Sequence, residues 1–285
     1  MKPPSFRYER RETVRDAVEL LAAEADSAKV LAGGQSLVAL MNLRLAAPEV
    51  LLDIGPLDEL RYIRRDGDML RVGALTTQAE LERDPALAQD APLLAQCVPH
   101  VGHDAIRNRG TVGGSIAHAD PAAELPIAFL ALEGEVSVAS APGSRRIGAG
   151  DFFQGFLMTA IEPDELLTEV AFPLAREGAG YAFEEFARRP GDFALVSVAC
   201  RVSYRDGGLA SARVVLGGVG SAPVLVDGLE DLAGAGTDEA VAATAEAAAA
   251  ATDVPADIHA SPEYRRHLAR ELTRRAMARA LNGRR

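Results

Sequence analysis

"LAGGQSLVALM", residues 31–41, joins a short apolar run to an apolar periodic segment through the adjacent glycines Gly33 and Gly34. "RGTVGGSIAHADP", residues 109–121, repeats the device with Gly113 and Gly114. A glycine between a strand and a helix start lets backbone N–H groups approach a ligand with no Cβ in the way. With a helix N-terminus behind it, such a turn can hold an anion, because several donors and the helix dipole converge there. Neither stretch has the GxGxxG spacing of a Rossmann dinucleotide site or the terminal GK[ST] of a P-loop, so those two nucleotide folds are disfavoured. A turn that needs glycine for backbone reasons alone explains a single pair equally well. Two pairs, the second flanked by Thr111 and Ser115, suit a ligand with two phosphates, which points to a pyrophosphate and hence a dinucleotide. The spacing itself goes no further.

The rest of the chain narrows the chemistry. Its 285 residues are 48% hydrophobic and 25% charged, the balance of an ordinary globular protein with room for one large or two ordinary domains. A net charge of −11 argues against binding a nucleic-acid backbone. The two cysteines, Cys97 and Cys200, are far apart, and the five histidines are scattered. No CxxC, HxxxH or HExxH spacing is present, so no metal ligand is expected and both cysteines read as buried fillers. Redox chemistry on such a chain would need an organic cofactor. No apolar run is long enough to span a bilayer, and "MKPPSFRYERRETV" lacks the apolar core of a secretory signal, so a cytoplasmic location is expected.

Periodicity places the elements. Residues 13–24 read as a helix capped by Thr13, residues 28–32 as a strand, residues 36–45 as a helix with Leu37, Leu40, Met41 and Leu45 on one face, and residues 49–54 as a strand. This opening reads α-β-α-β. "MLRVGALTT" reads as a strand feeding a helix with a Thr77/Glu80 capping box, and "GEVSVASA" and "DELLTEVAFPL" as further strands. Phe152, Phe153 and Phe156 read as a core cluster. After a boundary at "AREGAG" (175–180), "YAFEEFAR" and "LVSVACRVSYRDGGLASARVVLGGVG" alternate as antiparallel strands turning at Asp206-Gly207-Gly208. Two helices follow; the last carries Tyr264, Leu268, Leu272, Ala276 and Met277 on one stripe and six arginines, read as a solvated face.

Several stretches in unbroken order, "LAGGQSLVALMNLRLAAPEVLLDI", "VGALTTQAELE", "IRNRGTVGGSIAHADPAAELP", "GDFFQGFLMTAIEPDELLTEV" and "SPEYRRHLARELTRRA", make the chain resemble the FAD-binding medium subunit of the molybdenum hydroxylases, of the aerobic carbon monoxide dehydrogenase and xanthine dehydrogenase type. The resemblance runs from about residue 3 to 281. It implies an α+β fold: a two-subdomain FAD-binding domain of the vanillyl-alcohol-oxidase (PCMH) type over 1–175, divided near residue 55, and a smaller α+β domain over 176–285 with a three-stranded antiparallel sheet and helices. The family's first FAD loop falls on Lys29–Ser36, centred on Ala32, Gly33, Gly34, Gln35 and Ser36. Its second falls on Thr111, Val112, Gly113, Gly114 and Ser115. Glu124 matches a carboxylate that meets the FAD in relatives, Ile161 an apolar residue near the flavin, and Phe193 the position of an aromatic ring covering one flavin face.

Two departures matter. Relatives often have histidine where Gln35 stands, and glutamine cannot form a covalent flavin bond, so non-covalent FAD is expected. The carbon monoxide dehydrogenase type has "GDY"; here "GDF" places Phe193 there without the phenol hydroxyl. His118 and Asp120 read as loop-shaping residues, and Arg107 and Arg109 as phosphate-neutralising or surface-paired. No residue is expected to act as a proton-transfer catalyst. The resemblance implies an electron-transfer subunit of a heterotrimer, assembled as a dimer of heterotrimers. A large partner would carry the molybdenum cofactor, and a small partner the [2Fe-2S] clusters that feed electrons to FAD here. The competing readings are a free-standing FAD oxidoreductase and a nucleotide-binding assembly module without redox turnover.

Overall fold

Thr13 opens the first helix as its position suggests, its hydroxyl accepting a hydrogen bond from the Asp16 amide at 3.1 Å. In the computed structural model, which describes residues 2–205, 208–234 and 236–283, the N-terminal unit comprises β1 (Arg7–Arg10), α1 (Val14–Glu24), β2 (Ala28–Leu31), α2 (Leu37–Asn42) and β3 (Val50–Asp53). Its sheet is parallel with order β1-β3-β2. Ala17, Val18 and Leu21 of α1 bury against Ala28, Val50 and Leu52. The sequence reading missed β1, because "RYER" carries no apolar alternation; parallel pairing with β3 makes it a strand. The helix expected over 36–45 is shorter. It ends at Asn42, Arg44 takes a left-handed φ of 60°, and of the expected stripe only Met41 is fully buried while Leu45 is 74% exposed.

The second unit runs through β4 (Ile63–Asp66), β5 (Met69–Gly73), α3 (Gln78–Glu82), α4 (Leu87–Asp90), α5 (Pro92–Cys97), α6 (Asp104–Arg107), α7 (Val112–His118), α8 (Glu124–Ala131), β6 (Glu135–Ser140), β7 (Gly143–Gly148), α9 (Ala149–Phe152), β8 (Phe153–Gly155), β9 (Met158–Thr159) and β10 (Leu166–Pro173). Five of its strands form an antiparallel sheet of order β4-β5-β10-β6-β7. The Thr77/Glu80 capping box on α3 is present with both reciprocal hydrogen bonds. Every residue of α8 is buried, and Phe129 meets Phe152, Phe153 and Phe172 edge-on. Phe156, expected in that cluster, instead sits on the β8–β9 hairpin, exposed. It lies in the turn between the two paired strands; among the described residues no element covers that turn, so exposure replaces core packing there.

The C-terminal unit contains β11 (Ala179–Phe186), β12 (Val196–Arg205), β13 (Gly208–Gly217), β14 (Val224–Leu225), α10 (Thr237–Ala250) and α11 (Pro262–Asn282). Three long antiparallel strands carry the sheet, and the two-residue β14 extends its edge. Asp206 and Gly207 of the expected hairpin turn lie outside the described residues, but the flanking strands pair up to Arg205 and Gly208. Leu268, Leu272, Ala276 and Met277 of α11 are buried; Tyr264 is exposed, and Arg265, one of the six arginines, is buried against Asp257 at 2.6 Å. Phe183, Ala199 and Val215 of this unit join the core built around α8, so the second and third units share one apolar interior. Both cysteines are buried, in two different cores.

Candidate functional site

The two glycine loops, remote in sequence, meet backbone to backbone. A Cβ built on Gly33 would lie 2.1 Å from the Arg109 carbonyl oxygen and 2.9 Å from the Gly110 Cα, so only glycine permits the approach. Gly34 has a left-handed φ of 73°, which turns the chain from β2 into α2. Between them these two residues bring the N-terminal unit onto the second.

The second loop is anchored to the segment leaving β5. The amides of Val112 and Gly113 donate to the carbonyls of Thr76 and Ala74 at 2.9 and 3.0 Å, and the Gln78 amide donates to the Gly110 carbonyl at 2.9 Å. Gly113 lies so close to Ala74 that an added Cβ would sit 2.6 Å from that residue's own Cβ. The Thr111 hydroxyl caps α7 by accepting from the Gly114 amide at 3.0 Å, and the Ser115 amide donates to the Thr111 carbonyl at 3.1 Å. The amides of Val112 to Ser115 are therefore committed within the protein.

The first loop is the opposite case. Among the described residues, the amides of Gly33, Gly34, Gln35 and Ser36 donate no hydrogen bond, although the loop is largely half-buried. Gln35 turns its side-chain amide back onto the Gly33 carbonyl at 3.1 Å, which braces the turn. A half-buried row of unused donors is costly unless water or a ligand receives them. The two glycine pairs thus divide the work: the first presents donors, and the second forms the packed wall behind them.

The other sequence-selected residues sit on separate elements. Lys29 is exposed on β2, the strand that delivers the first loop. Ile161, half-buried after β9, packs on the second unit's core, and its amide donates to the Thr159 hydroxyl. Phe193 is 61% exposed in the β11–β12 connection. Glu124 is the first residue of α8 and is buried; burial pushes its carboxyl up to about 7, nearby Glu185 adds to the rise, and its own backbone amide opposes it. Asp120 accepts from the Ala122 amide at 2.9 Å, the loop-shaping role expected of it. Arg107 turns inward: it pairs with Glu82 at 2.8 Å and Asp104 at 2.5 Å and donates to the carbonyls of Pro99, Val101 and Gly102.

Sequence reasoning missed the wall itself. Arg109 and Gly110 contribute through their backbones, and Ala74, Thr76 and Gln78 hold the second loop through main-chain hydrogen bonds. No side-chain pattern reports such roles. It also missed His100 and Glu185, which meet across the seam between the second and third units, the His100 Nδ1 donating to Glu185 at 3.0 Å.

Comparison with known proteins identifies the family. Residues 4–175 match the FAD-binding domain of molybdopterin dehydrogenases, and residues 181–280 match the C-terminal domain of the carbon monoxide dehydrogenase flavoprotein. The nicotine 6-hydroxylase medium subunit of Paenarthrobacter nicotinovorans is 42% identical over 282 residues, covering 98% of this chain and 99% of the relative. The carbon monoxide dehydrogenase medium chain of Hydrogenophaga pseudoflava is 36% identical over 281 residues, covering 97% of each. Among solved structures, a carbon monoxide dehydrogenase from Hydrogenophaga pseudoflava superposes with a TM-score of 0.96 at 34% identity over the full length of both chains. Quinoline 2-oxidoreductase from Pseudomonas putida 86 gives 0.93 at 36% identity over 99% of each.

Proposed function

The chain belongs to the FAD-binding medium subunits of the molybdopterin dehydrogenases, and from that premise we propose that its two glycine loops form the pyrophosphate seat of the FAD. It is an oxidoreductase subunit of the carbon monoxide dehydrogenase type, whose relatives work in multi-subunit complexes. The observation that carries the placement is the row of uncommitted amides from Gly33 to Ser36, held against the Arg109–Gly110 backbone. That donor set fits a diphosphate: its amides are consecutive and unused, the loop is largely half-buried, and Gly33 and Gly34 carry no side chains.

In this reading Gly33, Gly34, Gln35 and Ser36 donate to phosphate oxygens, with Ala32 lining the turn and Lys29 adding positive charge beside it. Thr111, Val112, Gly113, Gly114 and Ser115 hold the opposite wall. Glu124, Ile161 and Phe193 contact the remainder of the cofactor, Phe193 with an apolar ring in place of a phenol. Held by these residues, FAD would supply the two-electron chemistry that couples single-electron donors, the [2Fe-2S] clusters of a partner, to an external acceptor. The residues of this chain bind and orient it, and no side chain here needs to break a substrate bond.

The partners are a large molybdenum-cofactor subunit and a small iron–sulfur subunit, with the complex a dimer of heterotrimers. The substrate belongs to the large subunit. Subunits of nicotine, caffeine, carbon monoxide and glyceraldehyde enzymes match this chain in sequence over nearly its whole length, so that match does not encode the molecule oxidised. No helix among the described residues is long and apolar enough to cross a membrane, in keeping with a cytoplasmic complex.

The test is to purify the chain with its partners, record the flavin spectrum, then denature and spin. FAD in stoichiometric amount, all of it released to the supernatant, is expected because Gln35 offers no covalent attachment. Absence of flavin under every condition would overturn the assignment. Flavin reduced by a substrate in the isolated chain would favour a free-standing oxidoreductase.

A further inference from the structure

The connection between β11 and β12 carries Phe193 and is held unevenly along its length. Its base is fixed: the Leu195 amide donates to the Phe186 carbonyl at 2.8 Å, Ala194 and Leu195 are buried, and Arg265 of α11 donates to the Leu195 carbonyl. Its tip is tied far less. The Asp192 amide closes a turn onto the Arg189 carbonyl at 3.1 Å. Among the described residues, however, no side chain from 187 to 193 makes a hydrogen bond or ion pair.

The tip meets the second unit at Gly191. A Cβ built there would lie 2.3 Å from Cε1 and 2.5 Å from Nδ1 of His103, so the imidazole fills the space that a side chain at 191 would need. Gly191 also has a left-handed φ of 83°, so backbone and packing both call for glycine. His103 in turn stands on a braced turn. Its carbonyl accepts the amides of Ile106 and Arg107 at 2.8 and 3.0 Å as α6 begins. The Arg107 guanidinium grips the carbonyls of Val101 and Gly102 just before it. Among the described residues the His103 ring makes no hydrogen bond or ion pair, so packing on Gly191 is the role its geometry leaves. A cleft of about 460 Å³, lined by His100, His103, Pro190 and Gly191 among others, opens beside the contact and gives the tip room to withdraw.

We propose that His103 is a positioning residue: packed on Gly191, it latches the β11–β12 connection to the second unit and so fixes the Phe193 ring over the flavin face. The proposal rests on the reading that Phe193 covers that face. Phe193 lies two residues from the latch, a reach of at most about 7 Å, so a displacement of Gly191 is passed directly to the ring. A segment with so few contacts opens locally at little cost once its restraint is removed. His103 thereby sets how far the flavin is open to an external acceptor, without touching the cofactor itself.

The experiment uses the assembled, FAD-loaded complex and reads exposure of the bound flavin as collisional quenching of its fluorescence by iodide. Flavin content and melting temperature are recorded alongside. His103 is exposed, so its replacement empties no core. His103→Ala is expected to raise the quenching constant by more than half of the rise seen in Phe193→Ala, at unchanged flavin content. His103→Phe, which keeps a flat ring against Gly191, is expected to restore the wild-type value. The double variant His103→Ala/Phe193→Ala is expected to match Phe193→Ala alone, because the latch acts through that ring. Wild-type quenching in His103→Ala beside a raised value in Phe193→Ala would overturn the proposal and leave the flavin-face reading standing. Additive effects in the double variant would also overturn it, since His103 would then act independently of Phe193. Loss of FAD from His103→Ala with Phe193→Ala still loaded would overturn it by making His103 a binding residue. Wild-type quenching in Phe193→Ala would overturn the flavin-face reading, and this proposal with it.

Discussion

Gly33→Ala is the sharpest probe of the loop contact. The new methyl carbon would stand 2.1 Å from the Arg109 carbonyl oxygen, where ordinary contact requires more than 3.4 Å, so one loop must withdraw by over an ångström. Neither neighbour is a flexible side-chain end; both are backbone, and Gly110 is itself pinned by its hydrogen bond from the Gln78 amide. Overpacking of this kind costs about 1–3 kcal/mol. If the cost falls on the donor row, FAD affinity drops roughly 5- to 150-fold, at tenfold for each 1.4 kcal/mol. The assay is flavin fluorescence on titrating flavin-free protein, with thermal unfolding alongside. Gly150→Ala is the control, because a Cβ there meets nothing within 4 Å. A Gly33→Ala variant that binds FAD within twofold of wild type and melts at the same temperature would refute the backbone contact as the element that aims the donors.

The remaining predictions concern the residues around the site. Gly113→Ala should lower thermal stability by about 1–3 kcal/mol through the clash with Ala74, with flavin loss following that destabilisation; unchanged melting would remove the close approach of α7 to the end of β5. Arg107→Ala should cost about 3 kcal/mol or more in denaturant unfolding, since it breaks two ion pairs and three carbonyl contacts of a buried guanidinium; a loss under 1 kcal/mol would show that the cluster does not brace the α6 turn. Glu124 has a folded-state value raised from 4.5 to about 7, so the folded protein binds more protons than the unfolded chain between those values and loses stability as pH rises through that window. The loss amounts to about 3 kcal/mol, and Glu124→Gln, measured in flavin-free protein by urea unfolding, should remove it. An identical pH dependence in wild type and variant would show that Glu124 is not buried as an acid.

The sequence alone determined many of the element types and the two loops that matter. Local signals suffice there: Thr77 and Glu80 write a capping box, β12 and β13 alternate over long runs, and a glycine pair between strand and helix marks a turn with exposed amides. Those signals also misled where a local pattern depends on its neighbours. Leu45 continues a helical stripe in sequence but lies past the end of α2, and Phe156 has the composition of core but projects from a hairpin. The "RYER" strand exists only because β3 is beside it. Tertiary structure alone decided that the two glycine pairs have unequal roles. Amides look identical in a sequence; which are free depends on where other backbone lies, and packing on Ala74 and Thr76 commits one loop while leaving the other open. It likewise decided that His100 and Glu185, distant in the chain, share a hydrogen bond at a buried seam, because burial and pairing of charges are properties of contacts between elements and not of any one of them.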